Sequence, residues 1–332
     1  MKNRMINGTA RSIEVPGEDG RLPVVSVVIP SFNAAKTIRT TLNALRGQVT
    51  RVPFEIIVVD SSKDHTGDII REEYPEVHLI RLDQQTYPGR GRNIGIQHAR
   101  GEYVAFIDSD CIPRPDWIEQ IAATFAAVEA DAVGGSIING YPKHLPAWVN
   151  HFIEFNEWTE TTRPGYVTNI PSANLIYRRQ AFEQYNEYFP DWLGSEDTLL
   201  NWRMSKKGAK IYFNPRIQVV HNNDVDLKKL FRHQYTLGRW SARARREEDL
   251  AGNFVTRYPL LVYGLPLARW VRAFSRLVQK DFKKSILFLA TSPLYFAAAV
   301  AWSIGFNSKK PLRTLDRTDL KETRMQFVQD GF

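Results

Sequence analysis

Cysteine is nearly absent from this chain. Cys111 stands alone among 332 residues, so no internal disulfide can form. Stability must come from a packed core, and the length allows one large domain or two smaller ones. The lone thiol fits a reducing compartment and has no base beside it in sequence, so it reads as a packing residue. The first residues, Met1 to Leu22, lack the apolar stretch of a secretory leader. They read as a flexible polar tail, and the main domain is expected to stay in the cytoplasm. No internal repeat is visible. The glycines of GRGRNIG (Gly89, Gly91, Gly95) are spaced one residue too widely for a dinucleotide fingerprint, and no acidic partner follows at the usual distance. That spacing argues against a dehydrogenase.

Charge is unevenly spread. The net charge is +8, yet Lys228 to Lys284 alone carries 14 Lys and Arg against four acids, leaving the remainder slightly acidic. Such a segment suits nucleic acid or anionic lipid. Its neighbour favours lipid: SILFLATSPLYFAAAVAWSIGFNS, Ser285 to Ser308, runs 24 residues without a charge. As a helix it would reach about 36 Å, long enough to cross a hydrocarbon layer. Lysines flank it on both sides, Pro293 interrupts it, and a shorter apolar run, Tyr258 to Ala268, precedes it. Basic flanks at both ends favour a helix at the membrane interface, or a re-entrant hairpin, over a crossing. The expected partner is therefore a membrane surface and not nucleic acid, with the protein on the cytoplasmic face.

Between tail and basic segment the pattern is that of an α/β domain. VVSVVIP, FEIIVVD, VHLIRL and YVAFID are apolar runs of strand length, separated by stretches of helical period. Alternation of that kind predicts a Rossmann-like, mostly parallel sheet flanked by helices. Asp116 and Ser195 are placed to cap the helices that follow them. The expected division is a tail over 1–22, a catalytic domain over 23–225, and a helical, basic then apolar, membrane-associating region over 226–332.

In open parallel sheets ligands gather beyond the carboxyl ends of the strands. Three such ends are polar here: Ser31-Phe32-Asn33, Asp60-Ser61-Ser62 and Asp108-Ser109-Asp110. A hydrophobic strand running straight into Asp108 and Asp110 sets two like charges close together, which a cation between them would relieve.

Four segments in order carry a resemblance: VVSVVIPSFNAAKTIRTTLNALRGQ, FEIIVVDSSKDHT, GRGRNIGIQHARGEYVAFIDSDCIPRPDWIE and GSEDTLLNWRMSKKGAKIYFNP. Together they resemble glycosyltransferase family 2, with its GT-A fold, over roughly residues 23–225. The resemblance implies an inverting enzyme that moves a sugar from a nucleoside diphosphate, with UDP favoured, to an acceptor hydroxyl, and a lipid-linked or cell-envelope acceptor follows from the apolar segment. It implies donor contacts at Pro30, Ser31, Asp60, Arg92, Asp108 and Arg239, with Asp60 at the nucleobase. Asp108 and Asp110 match the D-x-D triplet that seats Mg2+ or Mn2+, hard cations suited to oxygen ligands, and His221 is a third candidate ligand. Asp197 matches the general base, with Glu196 positioning the acceptor, and Asn174 and Trp240 are acceptor-site candidates. HQYTLGRW departs from the Q-x-x-R-W element of processive relatives, since Gln234 lies five residues before Arg239.

Two other readings compete. A nucleotidyltransferase also uses a metal and a related sheet, but IPSFNAAKTI lacks its glycine- and lysine-rich phosphate loop. A membrane-anchored sugar-nucleotide binder without turnover would not need the full acidic set.

Overall fold

The computed structural model describes residues 11–12, 22–222, 226–250 and 252–312. Most of the expected tail, the junction at 223–225 and the flanking Arg313 lie outside the described residues.

A two-residue strand, β1 (Arg11–Ser12), edges the sheet. Four parallel strands follow: β2 (Val25–Ser31), β3 (Phe54–Asp60), β4 (His78–Arg81) and β5 (Tyr103–Phe106), in the spatial order β4-β3-β2-β5. The helices α1 (Ile38–Arg46), α2 (Thr66–Glu73) and α3 (Pro88–His98) link them. Val25, Val27, Val28 and Ile29 are fully buried, as β-branched strands covered on both faces must be. The helix α1 buries Ile38, Leu42 and Leu45 and stops at Gly47. On α3, a Cβ at Gly95 would lie 2.2 Å from Val28, and one at Gly91 would lie 3.1 Å from Pro30. The glycine spacing of GRGRNIG therefore serves close packing of α3 on β2.

The chain continues through β6 (Cys111–Pro113), α4 (Trp117–Ala127), β7 (Ala132–Asn139), α5 (Leu145–Glu154), β8 (Gly165–Val167), β9 (Leu175–Arg178), α6 (Arg179–Tyr185), α7 (Glu196–Lys206) and β10 (Ile211–His221). The sheet order is β1-β4-β3-β2-β5-β9-β7-β10-β6, with β8 on β10. From β4 to β5 it is parallel, β1 lies antiparallel at the edge, and the half beyond β5 is mixed. β9 runs antiparallel to both β5 and β7: after α5 and β8, a 3-10 turn at Ser172–Asn174 brings the chain in at the carboxyl edge of β5. Leu175, its first residue, pairs with Phe106, the last of β5. Ser172 and Ala173 thus arrive beside Asp108.

The carboxyl-terminal region folds as α8 (Leu227–Glu247), two 3-10 turns (Asn253–Thr256 and Pro259–Gly264), α9 (Leu265–Lys280) and α10 (Phe282–Phe306). Most of the charge-free run lies within α10, which passes Pro293 without a break. Val149, Phe152 and Ile153 of α5 share one core with Leu230 of α8, Leu277 of α9, and Phe288 and Tyr295 of α10. The helices α8 and α10 meet backbone to backbone. A Cβ at Gly238 would fall 2.0 Å from the Trp302 carbonyl, and one at Gly305 2.0 Å from that of Tyr235.

The expected caps differ in detail. Asp116 and Ser195 hold the N-cap positions of α4 and α7, but neither side chain caps. Ser195 has φ +62, which turns its hydroxyl toward Ser241 at 3.4 Å instead.

Candidate active site

The carboxyl ends of β2 and β5, the turn before β9, the start of α7 and one face of α8 enclose a cleft of about 530 Å³. Pro30, Arg92, Asp108, Asp110, Glu196, Asp197 and His221 all line it. Residues from five separate stretches of sequence are therefore brought together.

Arg92 is the pivot. Two per cent exposed, it donates from Nη2 to Asp108 Oδ1 and from Nη1 to Glu196 Oε1, each at 2.7 Å. The planar guanidinium suits this bridging role, which a lysine could not fill. Its neighbour Asn93 holds the Phe189 backbone through two hydrogen bonds, at 2.8 and 3.1 Å. Burial and the adjacent Asp197 push the Glu196 carboxyl up to about 7, against the pull of Arg92.

Asp197 stands in the first turn of α7. Its Oδ2 accepts from the Ser172 amide at 3.0 Å, and its Oδ1 from the Thr198 amide at 2.6 Å. The Ser172 and Thr198 hydroxyls approach the same two oxygens only at 3.4 Å, long contacts that an incoming donor can replace.

At the other side, the donor atoms of Asp108, Asp110, Cys111 and His221 all lie within 4.8 Å of one another. The His221 Nε2 is 3.4 Å from Asp110 Oδ1. Burial works against the protonated imidazole, but the Asp110 carboxylate lifts His221 to about 9. Cys111 is wholly buried, and burial with the two carboxylates pushes its thiol well above the usual range. It stays protonated, which leaves two carboxylates and the His221 imidazole as candidate ligands, the imidazole only once a cation displaces its proton. That donor set fits Mg2+ or Mn2+, and the partly exposed carboxylates leave room for further oxygen ligands.

Several expected site residues lie outside the cleft. Ser31 is buried beneath it, and its hydroxyl has no partner among the described residues. Asp60 is fully buried, its carboxylate held by Arg81 and Ser62. Asn174 is a core strut: it accepts from Trp117 Nε1 at 2.9 Å and donates to the carbonyls of Ser136 and Ile217. Trp240 packs against Trp192 and Tyr87 and does not line the cleft. Arg239 donates to the carbonyls of Lys310 and Pro311, at 2.8 and 2.6 Å. The helical period explains the last case. The cleft stripe of α8 is His233, Gln234, Leu237 and Ser241, and Arg239 lies roughly 200° round from Leu237.

Sequence reasoning missed Glu154 and His233, which pair at 2.9 Å across the cleft wall, and the buried Gln234 that donates to Glu154 at 2.9 Å. The adjacent polar pair His233-Gln234 on an otherwise basic helix was the available signal.

Comparison with known proteins follows the same lines. The Glycosyl transferase family 2 profile matches residues 26–186. Glycosyltransferase AglE of Haloferax volcanii is 36% identical over 170 residues, covering 50% of this chain and 52% of AglE. The pre-mycofactocin glycosyltransferase of Mycobacterium tuberculosis is 25% identical over 259 residues, covering 74% of this chain and 52% of its own. The chain thus spans about half the length of these curated relatives. Among solved structures, the mannosyltransferase PcManGT from Pyrobaculum calidifontis, in complex with GDP-Man and Mn2+, superposes with a TM-score of 0.58 at 19% identity, over 88% of this chain and 89% of that one. Staphylococcus aureus TarS 1–349 in complex with UDP-GlcNAc gives 0.54 at 19% identity, over 93% and 92%. These likenesses show a GT-A fold, and residues 26–186 form a glycosyltransferase family 2 domain.

Proposed function

We propose that this protein is an inverting glycosyltransferase that moves a sugar from a nucleoside diphosphate to an acceptor hydroxyl at the cytoplasmic face of a membrane. The observation that carries the reading is the shared cleft: Asp108, Asp110 and His221 stand at one side, Asp197 at the other, and Arg92 ties Asp108 to Glu196 between them.

Asp108, Asp110 and His221 would hold a divalent cation, which when bound offsets the charge of the donor diphosphate and of the leaving nucleotide. Arg92 keeps Asp108 and Glu196 apart and oriented, so the site is formed before substrate arrives. Asp197, anchored by the Ser172 amide, takes the proton from the acceptor hydroxyl as that oxygen attacks the anomeric carbon. Glu196, poised near neutrality and locked to Arg92, positions the acceptor. Attack from the Asp197 side, opposite the leaving diphosphate, inverts the anomeric centre.

The uridine assignment leans on TarS, whose structure holds UDP-GlcNAc, more than on Asp60, whose carboxylate is already engaged. The lipid-linked acceptor follows from α9 and α10, which supply Arg269 and Trp302 to the cleft wall. The division at 225/226 is kept as a division of roles, catalytic and membrane-facing, within one packed body.

A panel of sugar nucleotides, each with and without Mn2+, tests the reading through thermal stabilisation and transfer. Asp197→Asn should keep cation-dependent donor stabilisation and lose transfer. Stabilisation by no sugar nucleotide, or full transfer by Asp197→Asn, overturns it.

A further inference from the structure

The helix α10 has the length of a membrane span, about 37 Å for its 25 residues, but not the surroundings of one. Phe288, Tyr295, Ala298 and Ala299 on one face are buried in the protein core. The backbone contacts at Gly238 and Gly305 lock this helix onto α8. Along its length α8 carries seven Lys and Arg and a single acid. A crossing α10 would draw those charges toward hydrocarbon, which strongly disfavours them.

The outer face of α10 is of another kind. Its exposed positions from Ile286 to Ile304, including Leu289, Pro293, Ala297 and Val300, carry no charge. They recur every three or four residues and so form a stripe about 27 Å long. Beside it, α9 exposes Leu267, Val271 and Val278. The two helices are joined by Trp270, which stacks on Phe274, Phe288 and Phe296 and donates to Ser292 Oγ at 2.8 Å. Leu260, in the turn that leads into α9, is 84% exposed, and Phe282 at the start of α10 is 67% exposed.

Charge frames this apolar area. From Leu265 to Lys284 there are six Lys and Arg and one acid, Asp281. Arg276 and Lys284 pair with Glu157 and Glu160, whereas Arg272 and Lys283 are exposed with no acidic partner among the described residues. A face with aliphatic side chains inside and cations at the rim matches an anionic bilayer leaflet.

We propose that α9 and α10 form a monotopic docking face, lying along one leaflet that contains anionic lipid and not crossing it. The inference rests on the membrane side of the proposed function and is independent of the transfer chemistry. Arg269 and Trp302 belong to these helices and also line the cleft. Docking therefore sets the cleft mouth at the headgroup layer, where a lipid-borne acceptor presents its polar end.

The test uses the full chain and vesicles of phosphatidylcholine with or without phosphatidylglycerol. Cys111 is buried, so single-cysteine probes can be read at Ile286→Cys, Ala297→Cys and Ile304→Cys, each carrying an environment-sensitive fluorophore. Binding to the anionic vesicles, with all three probes quenched at one shallow depth, is the expected result. A probe at position 297 deeper than both ends means a crossing helix and overturns the proposal. So does an apolar shift that appears without vesicles and grows with protein concentration, the sign of a second copy on this face. Absence of any shift also overturns it. Leu267→Glu combined with Ile286→Glu should weaken vesicle binding at least tenfold. The same variant should keep its Mn2+-dependent stabilisation by sugar nucleotide, so failure at the membrane is told apart from failure at the donor site.

Discussion

Arg92 holds Asp108 and Glu196 at equal distance, 2.7 Å from each carboxylate, with its guanidinium almost wholly buried. One cation thus serves both sides of the cleft. Removing it leaves one buried and one half-buried carboxylate facing each other without compensation. Arg92→Met should lower stability by about 3–5 kcal/mol, read from urea unfolding. Arg92→Lys keeps the charge but reaches one carboxylate at a time, and should recover only part of that loss.

Asp110→Asn leaves the fold intact, since the residue is partly exposed and its carbonyl still accepts from the Asn222 amide. Cation-dependent stabilisation by sugar nucleotide should vanish. Thermal melting with and without Mn2+ reads this directly. His221→Gln should weaken the same response, and an unchanged response in both variants would remove these residues from the cation site.

Asn174→Ala separates a core strut from an acceptor contact. It strands the Trp117 N–H and takes a donor from two buried carbonyls. The expected cost is about 1–3 kcal/mol in stability. Apparent affinity for acceptor in the folded fraction should stay the same.

His151 sets an acid limit. Burial, followed by the charges of Lys284 and His221, lowers its pKa from 6.5 to about 3. The unfolded chain takes up a proton near 6.5 that the folded chain refuses until about 3. This contribution to stability is complete above about 6.5 and declines as pH falls, by about 1.4 kcal/mol per unit. His151→Phe, which suits the surrounding Trp148, Phe152 and Phe155 rings, should flatten that slope in urea midpoints measured across the range.

Gly305→Ala places a methyl 2.0 Å from the Tyr235 carbonyl. The helices α8 and α10 must separate, at about 1–3 kcal/mol. Denaturation of this variant should show the loss, and the Gln234–Glu154 contact beside the cleft should loosen with it.

Much of this molecule was legible beforehand. The apolar runs of β2, β3, β4 and β5 were readable because each is of strand length and is set between stretches of helical period. Asp108, Asp110, His221, Glu196 and Asp197 were found by motif, and each stands at an element end where a side chain can reach the cleft. The direction of β9 was not legible, since ANLIYRR is equally apolar in either orientation. The face that α8 turns to the cleft was hidden as well: its rotation follows from the contact at Gly238, which leaves Arg239 and Trp240 outside the cleft lining. Glu154 and His233 lie 79 positions apart, and the adjacent His233-Gln234 marks one member without pointing to the other.

The glycine contact between α8 and α10 has a practical consequence. His233, Gln234, Leu237, Ser241, Arg269 and Trp302 all follow residue 226 and form one side of the cleft. A shortened version made for solubility, ending before Leu227, would be left open on that flank. Such a fragment could still recognise its donor, yet water would reach the anomeric carbon in place of the intended acceptor.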